Sequence, residues 1–233
     1  MRWLDLLPVI AFVVLGTVLV VAVLIGIVRI NRAFYRANLE SISLLATLTI
    51  YLAMGTGLYL ALRRLPAPLR YLGIHWPTPR EFLFTLLLIV PWYIGYALVA
   101  ALAAVLFNGG RQLQGNSRLI FVQQPHGVGL LLLALLVTAV AAPICEETFF
   151  RGMLLRLLRR RLPLWLAILV SAIAFGLAHA SPGVSAASLP VFVYMGIVLA
   201  LVYVRTHTLT NSMLLHGLNN ALVTIAAFSV ALR

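Results

Sequence analysis

The stretch Gly127–Gly152, GVGLLLLALLVTAVAAPICEETFFRG, decides how this chain folds. Its first eighteen residues, Gly127 to Ile144, carry no charge; Glu146, Glu147 and Arg151 then follow within one further segment. An uncharged apolar run of that length reads as a helix able to enter a bilayer. An ionised carboxylate near the bilayer mid-plane costs on the order of 3 kcal/mol even on lenient insertion scales. The chain has only five acidic residues, so two side by side in such a place need a chemical reason.

Working outward, the same apolar character fills the chain. Of 233 residues, 63% are hydrophobic and 9% charged, and the mean hydropathy is +1.08. Seven apolar stretches stand out, near Leu7–Val28, Ile42–Leu62, Phe82–Phe107, Val128–Leu155, Leu162–Ala180, Leu189–Val204 and Ser212–Leu232. Most are long enough to cross a hydrocarbon core of ~30 Å at ~1.5 Å per residue. The expected fold is therefore all-α, a polytopic transmembrane helical bundle of seven to eight spans with a polar intramembrane cavity. The chain divides into N-terminal helices and loops over 1–127 and a motif-bearing core over 128–233, integrated in one membrane domain.

The net charge of +12 does not point to nucleic acid, because the arginines lie between apolar runs, where basic residues fix membrane orientation. With seven spans, ten of them fall on one side, Arg2, Arg63, Arg64, Arg70, Arg80, Arg156, Arg159, Arg160, Arg161 and Arg205. Six fall on the other, Arg29, Arg32, Arg36, Arg111, Arg118 and Arg233, which favours a cytoplasmic N-terminus. The first apolar run exceeds a signal-peptide core and no small-residue cleavage site follows it, so it is expected to remain as an anchor. The loop NGGRQLQGNSRLIFVQQPHG is expected outside the membrane, and RRRLP is a sharp break between two apolar runs.

Three stretches place polar groups inside apolar helices: Glu146-Glu147-Thr-Phe-Phe-Arg151, Phe175-Gly-Leu-Ala-His179, and His216-Gly-Leu-Asn-Asn220. Such groups face a bundle interior or a wet cavity rather than lipid. Glu147 and Arg151 are four apart, with the acid first, and share a face suited to an ion pair. Glu146 is turned ~100° from Glu147, which leaves it available for other work. His216 and Asn220 project together, and Phe175 lies one turn before His179, where it can brace the ring. Around the break at Leu162, Glu146 lies sixteen residues before and His179 seventeen after. An antiparallel helical hairpin would set both at the same height, ~24 Å from the turn.

A carboxylate and imidazoles in a sparsely hydrated cavity suit activation of water. A second histidine with an amide one turn away suits hydrogen bonding to the oxyanion formed at an attacked carbonyl. The set describes hydrolysis of an acyl bond without a Ser or Cys nucleophile. No cofactor is required by it; a divalent metal such as zinc, held by Glu146, His179 and His216, is the alternative.

The bland readings stand beside these. The Glu147–Arg151 pair can be purely structural, His179 can cap its helix, and His216 and Asn220 can join helices by hydrogen bonds. Asn219 reads as a packing amide, and His75, His126 and His207 as surface residues. Cys145, beside Glu146, is a nucleophile only as a thiolate, which apolar burial disfavours.

The three motifs, in this order, resemble the CAAX protease and bacteriocin-processing (CPBP) family of intramembrane proteases, whose pattern is Glu-Glu-x-x-x-Arg, Phe-x-x-x-His and His-x-x-x-Asn. All three match without substitution between Val128 and Leu232. The resemblance implies a helical core of eight spans around a conical cavity. It implies Glu146 and His179 as activators of water, His216 and Asn220 as oxyanion support, and Glu147 with Arg151 as residues that order the site. The implied activity is cleavage of a membrane-associated peptide or protein, in the cell membrane, with the site reached from the cytoplasmic side. The competing expectation is a non-catalytic immunity or regulatory scaffold that binds a partner in the same pocket. Membrane lipid is the expected surroundings in either case, and nucleic acid is not an expected partner.

Overall fold

The computed structural model describes residues 1–107, 127–180 and 186–231, and among them there are helices and turns but no strand. The long polar loop, including His126, Arg111 and Arg118, lies outside the described residues, as does Arg233. In chain order, a 3-10 turn (Trp3–Leu6) leads into α1 (Leu7–Ile30), followed by α2 (Arg32–Ala37), α3 (Leu39–Leu62), α4 (Pro68–Leu72) and α5 (Pro79–Phe107). Then come α6 (Val128–Leu158), α7 (Leu164–Ala178), α8 (Leu189–Thr206) and α9 (Leu209–Ala231).

Local chemistry explains several of these limits. The Asn31 side chain caps α2 by accepting from the Phe34 amide at 2.8 Å. Thr78 and Glu81 form a reciprocal capping box at the start of α5, with Pro79 at its first position. At the end of α8, His207 takes a left-handed conformation (φ 58°) that stops the helix.

Among the described residues, five segments are long and apolar enough to cross a membrane: Trp3–Ile30, Leu39–Leu62, Pro79–Phe107, Val128–Leu158 and Ala186–Thr206. The chain is a multi-pass membrane protein. The count is lower than the seven apolar stretches for two physical reasons. Helix α7 has 15 residues, ~22 Å of rise, which is short of the hydrocarbon thickness. Helix α9 has 23 residues but carries Thr210, Asn211, Ser212, His216, Asn219, Asn220 and Thr224. Those polar groups lower its hydropathy and, all but Asn220 being buried, mark it as a helix that works inside protein.

The chain packs as two compact units, which share α6 and α9 between them. The first comprises Met1–Pro68, Arg118–Cys145 and Gly217–Arg233. Here α1 and α3 run close together because glycine permits it. A Cβ on Gly57 would sit 2.7 Å from the Val9 Cα and 2.9 Å from the Pro8 carbonyl oxygen. Between lipid-facing helices such small-residue contact is what drives association. Gly57→Leu is therefore expected to destabilise the protein by about 1–3 kcal/mol, read as an earlier thermal unfolding transition in detergent; an unchanged transition rejects the close-contact account.

Leu44, Ala134, Val137 and Phe228 form the apolar core of this unit. Thr138 and Thr224 hydroxyls meet at 2.9 Å, and the Asn220 amide donates to the Thr138 carbonyl at 2.8 Å.

Pro143 lies within α6, yet the helix runs through it. Proline removes an amide and crowds the carbonyl four residues earlier, here Ala139. The helix responds by widening: Leu136–Ala141 is π-helical, and the Ala142 amide reaches the Val137 carbonyl. Gly217 packs against the Ala139 carbonyl so closely that a Cβ there would lie 2.6 Å from its oxygen. A second π-helical stretch, Thr148–Leu155, follows the two glutamates.

The second unit comprises Leu69–Ser117 and Glu146–His216. Its core is Trp92, Phe150, Phe175, Met195, Leu199, Val202 and Leu215. Gly196 of α8 lies against α7, where a Cβ would sit 2.8 Å from the Ala172 Cα. The Ser171 hydroxyl donates to the Phe150 carbonyl at 3.1 Å, tying α7 to α6. The segment after α4 is fastened to the start of α9 by Thr208 Oγ1 to the Gly73 carbonyl (2.6 Å) and by Thr210 Oγ1 to the His75 carbonyl (2.7 Å).

Candidate active site

The second unit gathers most of the residues singled out in the sequence. The break Arg159–Leu162 lets α7 fold back along the end of α6, and Glu146 Oε2 lies 3.7 Å from His179 Nε2. The same oxygen is 3.9 Å from His216 Nε2, contributed by α9. The side chains of Glu146 and His216 are 10% and 3% exposed, whereas that of His179 keeps 22%, so the site has one accessible edge.

Each imidazole is oriented from behind. His179 follows the last residue of α7, and its Nδ1 lies 2.8 Å from the Phe175 carbonyl. A carbonyl only accepts, so Nδ1 carries the proton, and in the neutral ring Nε2 presents a lone pair toward Glu146. The ring is held between Phe175 (centroids 4.4 Å apart) and Phe192, stacked at 4.9 Å. His216 is held by Glu147, whose Oε1 lies 2.9 Å from its Nδ1.

Glu147 is the hub of this support. It is fully buried and pairs with Arg151 at 2.8 Å, and it accepts from the Ser212 hydroxyl at 2.5 Å on its other oxygen. Arg151, also fully buried, donates onward to the Gly196 carbonyl at 2.9 Å, and its guanidinium carbon lies 4.5 Å from the Phe175 ring centroid. Two ionised groups out of water are tolerable only when paired in this way, and here only Arg151 Nε is left without a hydrogen bond among the described residues.

Asn220, one turn beyond His216 on α9, belongs to the first unit, where it bonds Thr138 and accepts from the Asn219 amide at 3.1 Å. Cys145 is buried, and its thiol lies 3.5 Å from the Tyr51 carbonyl in that same unit. His75 forms an exposed 3.4 Å pair with Glu81, and His207 is an exposed helix stop.

The site also contains residues that were not singled out from the sequence. Ser212 was in principle findable, because it precedes His216 by four residues on one helix. Phe192 and Gly196 gave no local signal; each acts on a residue distant in sequence.

For a metal, the donor set is Glu146, His179 and His216. Among the described residues no group of three or more His, Cys, Asp or Glu has a spacing that would hold an ion. The 3.7 and 3.9 Å separations also exceed the about 3.4 Å edges of a tetrahedral zinc site. The arrangement does not fit a metal as it stands.

Two lone-pair sites, the Glu146 carboxylate and His179 Nε2, thus face each other across a gap too wide for a direct hydrogen bond. Residues 128–222 are similar to one family of membrane proteases. They match the family described as type II CAAX prenyl endopeptidase Rce1-like, and the match runs from the start of α6 into α9. Every residue of the three motifs lies inside it. Over 129 residues the chain is also 27% identical to an uncharacterized 24.3 kDa protein of Escherichia coli, covering 54% of this chain and 59% of that relative. The chain thus spans about 59% of the length of the curated relative that it matches. No solved structure matches the chain. The matched segment runs from α6 into α9, and these helices carry Glu146, His179 and His216.

Proposed function

We propose that the protein is an intramembrane endopeptidase that hydrolyses a peptide bond of a membrane-associated protein or peptide with water activated by Glu146 and His179. The observation that carries this reading is the 3.7 Å gap between two hydrogen-bond acceptors. A water molecule donates to both at once, and few other small species do. As its oxygen attacks the scissile carbonyl carbon, Glu146 takes one proton and a tetrahedral oxyanion forms. The oxyanion collapses, the C–N bond breaks, and Glu146 returns the proton to the leaving amine.

His216 faces Glu146 from a second side. A proton on its Nε2 donates to the oxyanion, with Glu147 as the fixed counter-charge behind Nδ1. The match to an endopeptidase family supports the reaction class. The reading sets the site on the arginine-rich side, which the positive-inside rule assigns to the cytoplasm.

The test is cleavage-site mapping by mass spectrometry, using purified protein and membrane peptides with and without a prenylated C-terminus, in the presence and absence of chelator. Cleavage at one defined bond, at equal rates with and without chelator, is the expected result. A rate lost to chelator and restored by zinc refutes the metal-free mechanism. Failure to cut any peptide, by protein that remains folded, refutes the protease reading.

A further inference from the structure

Arg156 directly follows the second π-helical stretch of α6, where no catalytic role calls for it. Its Nε donates to the Tyr203 hydroxyl at 2.5 Å. Its guanidinium carbon lies 4.7 Å from the Tyr71 ring centroid and 5.7 Å from that of Tyr203. The two tyrosines thus hold a planar cation whose two terminal nitrogens make no hydrogen bond within the described residues. Arg159 and Arg161 are exposed in the turn just beyond, and among the described residues no carboxylate pairs with any of the three.

The depth of this cluster follows from the sequence around it. It lies where the apolar α6 ends at Leu158 and before the apolar α7 begins at Leu164, hence at the edge of the hydrocarbon. Two residues of the same unit mark that level. Trp76 is 94% exposed and Leu69 is 62% exposed, next to Arg70 and Tyr71. Bare Trp and Leu beside Tyr and Arg form an interfacial belt. The anions abundant at that depth are lipid phosphates, and a guanidinium fork matches a phosphodiester bidentately where an ammonium would not.

We propose that Arg156, braced by Tyr71 and Tyr203, and with Arg159 and Arg161 beside it, docks the headgroup of an anionic phospholipid. The proposal is independent of the hydrolase reading, since it uses none of the site residues. Anionic lipid bound here would fasten the end of α6 whose preceding turns carry Glu146, Glu147 and Arg151.

The experiment is native mass spectrometry of the delipidated full-length protein titrated with phosphatidylglycerol or phosphatidylcholine. Preferential retention of phosphatidylglycerol is expected, falling about fivefold for each arginine removed in Arg156→Gln and in the pair Arg159→Gln/Arg161→Gln. Equal retention of the two lipids, or undiminished preference in the variants, overturns the proposal. Displacement of phosphatidylglycerol by millimolar inorganic phosphate overturns it too, in favour of a free-anion site. Should Arg156→Gln fail to fold, the exposed pair, which braces nothing, decides the question alone.

Discussion

Glu146→Gln is expected to lower the cleavage rate by about 10³-fold, within the range that a positioned general base supplies. The substitution keeps the shape of the side chain and removes only its capacity to take a proton. With Glu146 10% exposed and its carboxylate facing the two imidazoles, the neutral amide adds no buried charge. Thermal unfolding of the purified variant should therefore match that of the parent. His179→Ala is expected to fall by a similar factor, because it removes the second acceptor of the water and leaves the Phe175–Phe192 slot empty. Single-turnover cleavage of one mapped substrate measures both. A rate within tenfold of the parent in either folded variant excludes the mechanism.

The second large effect is on stability. Arg151→Met is expected to cost about 3–5 kcal/mol, since it leaves the Glu147 carboxylate in a dry interior with only Ser212 and His216 as donors. The guanidinium also gives up its bond to the Gly196 carbonyl and its place over Phe175. Adding Glu147→Gln should restore part of the loss, because the uncompensated charge is then gone. Activity should not return with stability, since His216 loses its ionic anchor. Equilibrium unfolding of the two single variants and the double variant in micelles completes the cycle. A loss under 1 kcal/mol in Arg151→Met, or no recovery in the double variant, contradicts a structural role for the pair.

The two effects separate the neighbouring glutamates, which the sequence presents as a pair. Their difference was legible in advance, because adjacent helical residues point ~100° apart. Glu147 meets Arg151 on the same helix at 2.8 Å, while Glu146 faces His179 and His216. The meeting of Glu146 with His179 was legible too, from equal distances on either side of the break at Leu162. Spacing was sufficient in both cases because each partner is fixed by helix geometry or by one turn.

The number of membrane-crossing helices was less legible. Apolar runs were counted, but a run such as Ser212–Leu232 is apolar only on average. Its buried hydroxyls and amides make α9 a partner for protein rather than for lipid, and hydropathy alone does not separate those surroundings. At Pro143 the residue type announced a disturbance, yet whether the helix breaks or widens depends on what receives the Ala139 carbonyl region, here Gly217.

By itself the sequence determined an all-helical membrane protein, the three polar motifs and which of their residues share a helical face, because hydropathy and the 3.6-residue period are local properties. Only the tertiary structure decided that Glu147 backs His216, that Ser212 and the Gly196 carbonyl bond the buried pair, and that Phe192 stacks on His179. Those contacts join residues up to 69 positions apart. They arise from how helices approach and rotate against one another, which side-chain packing sets and no local pattern encodes.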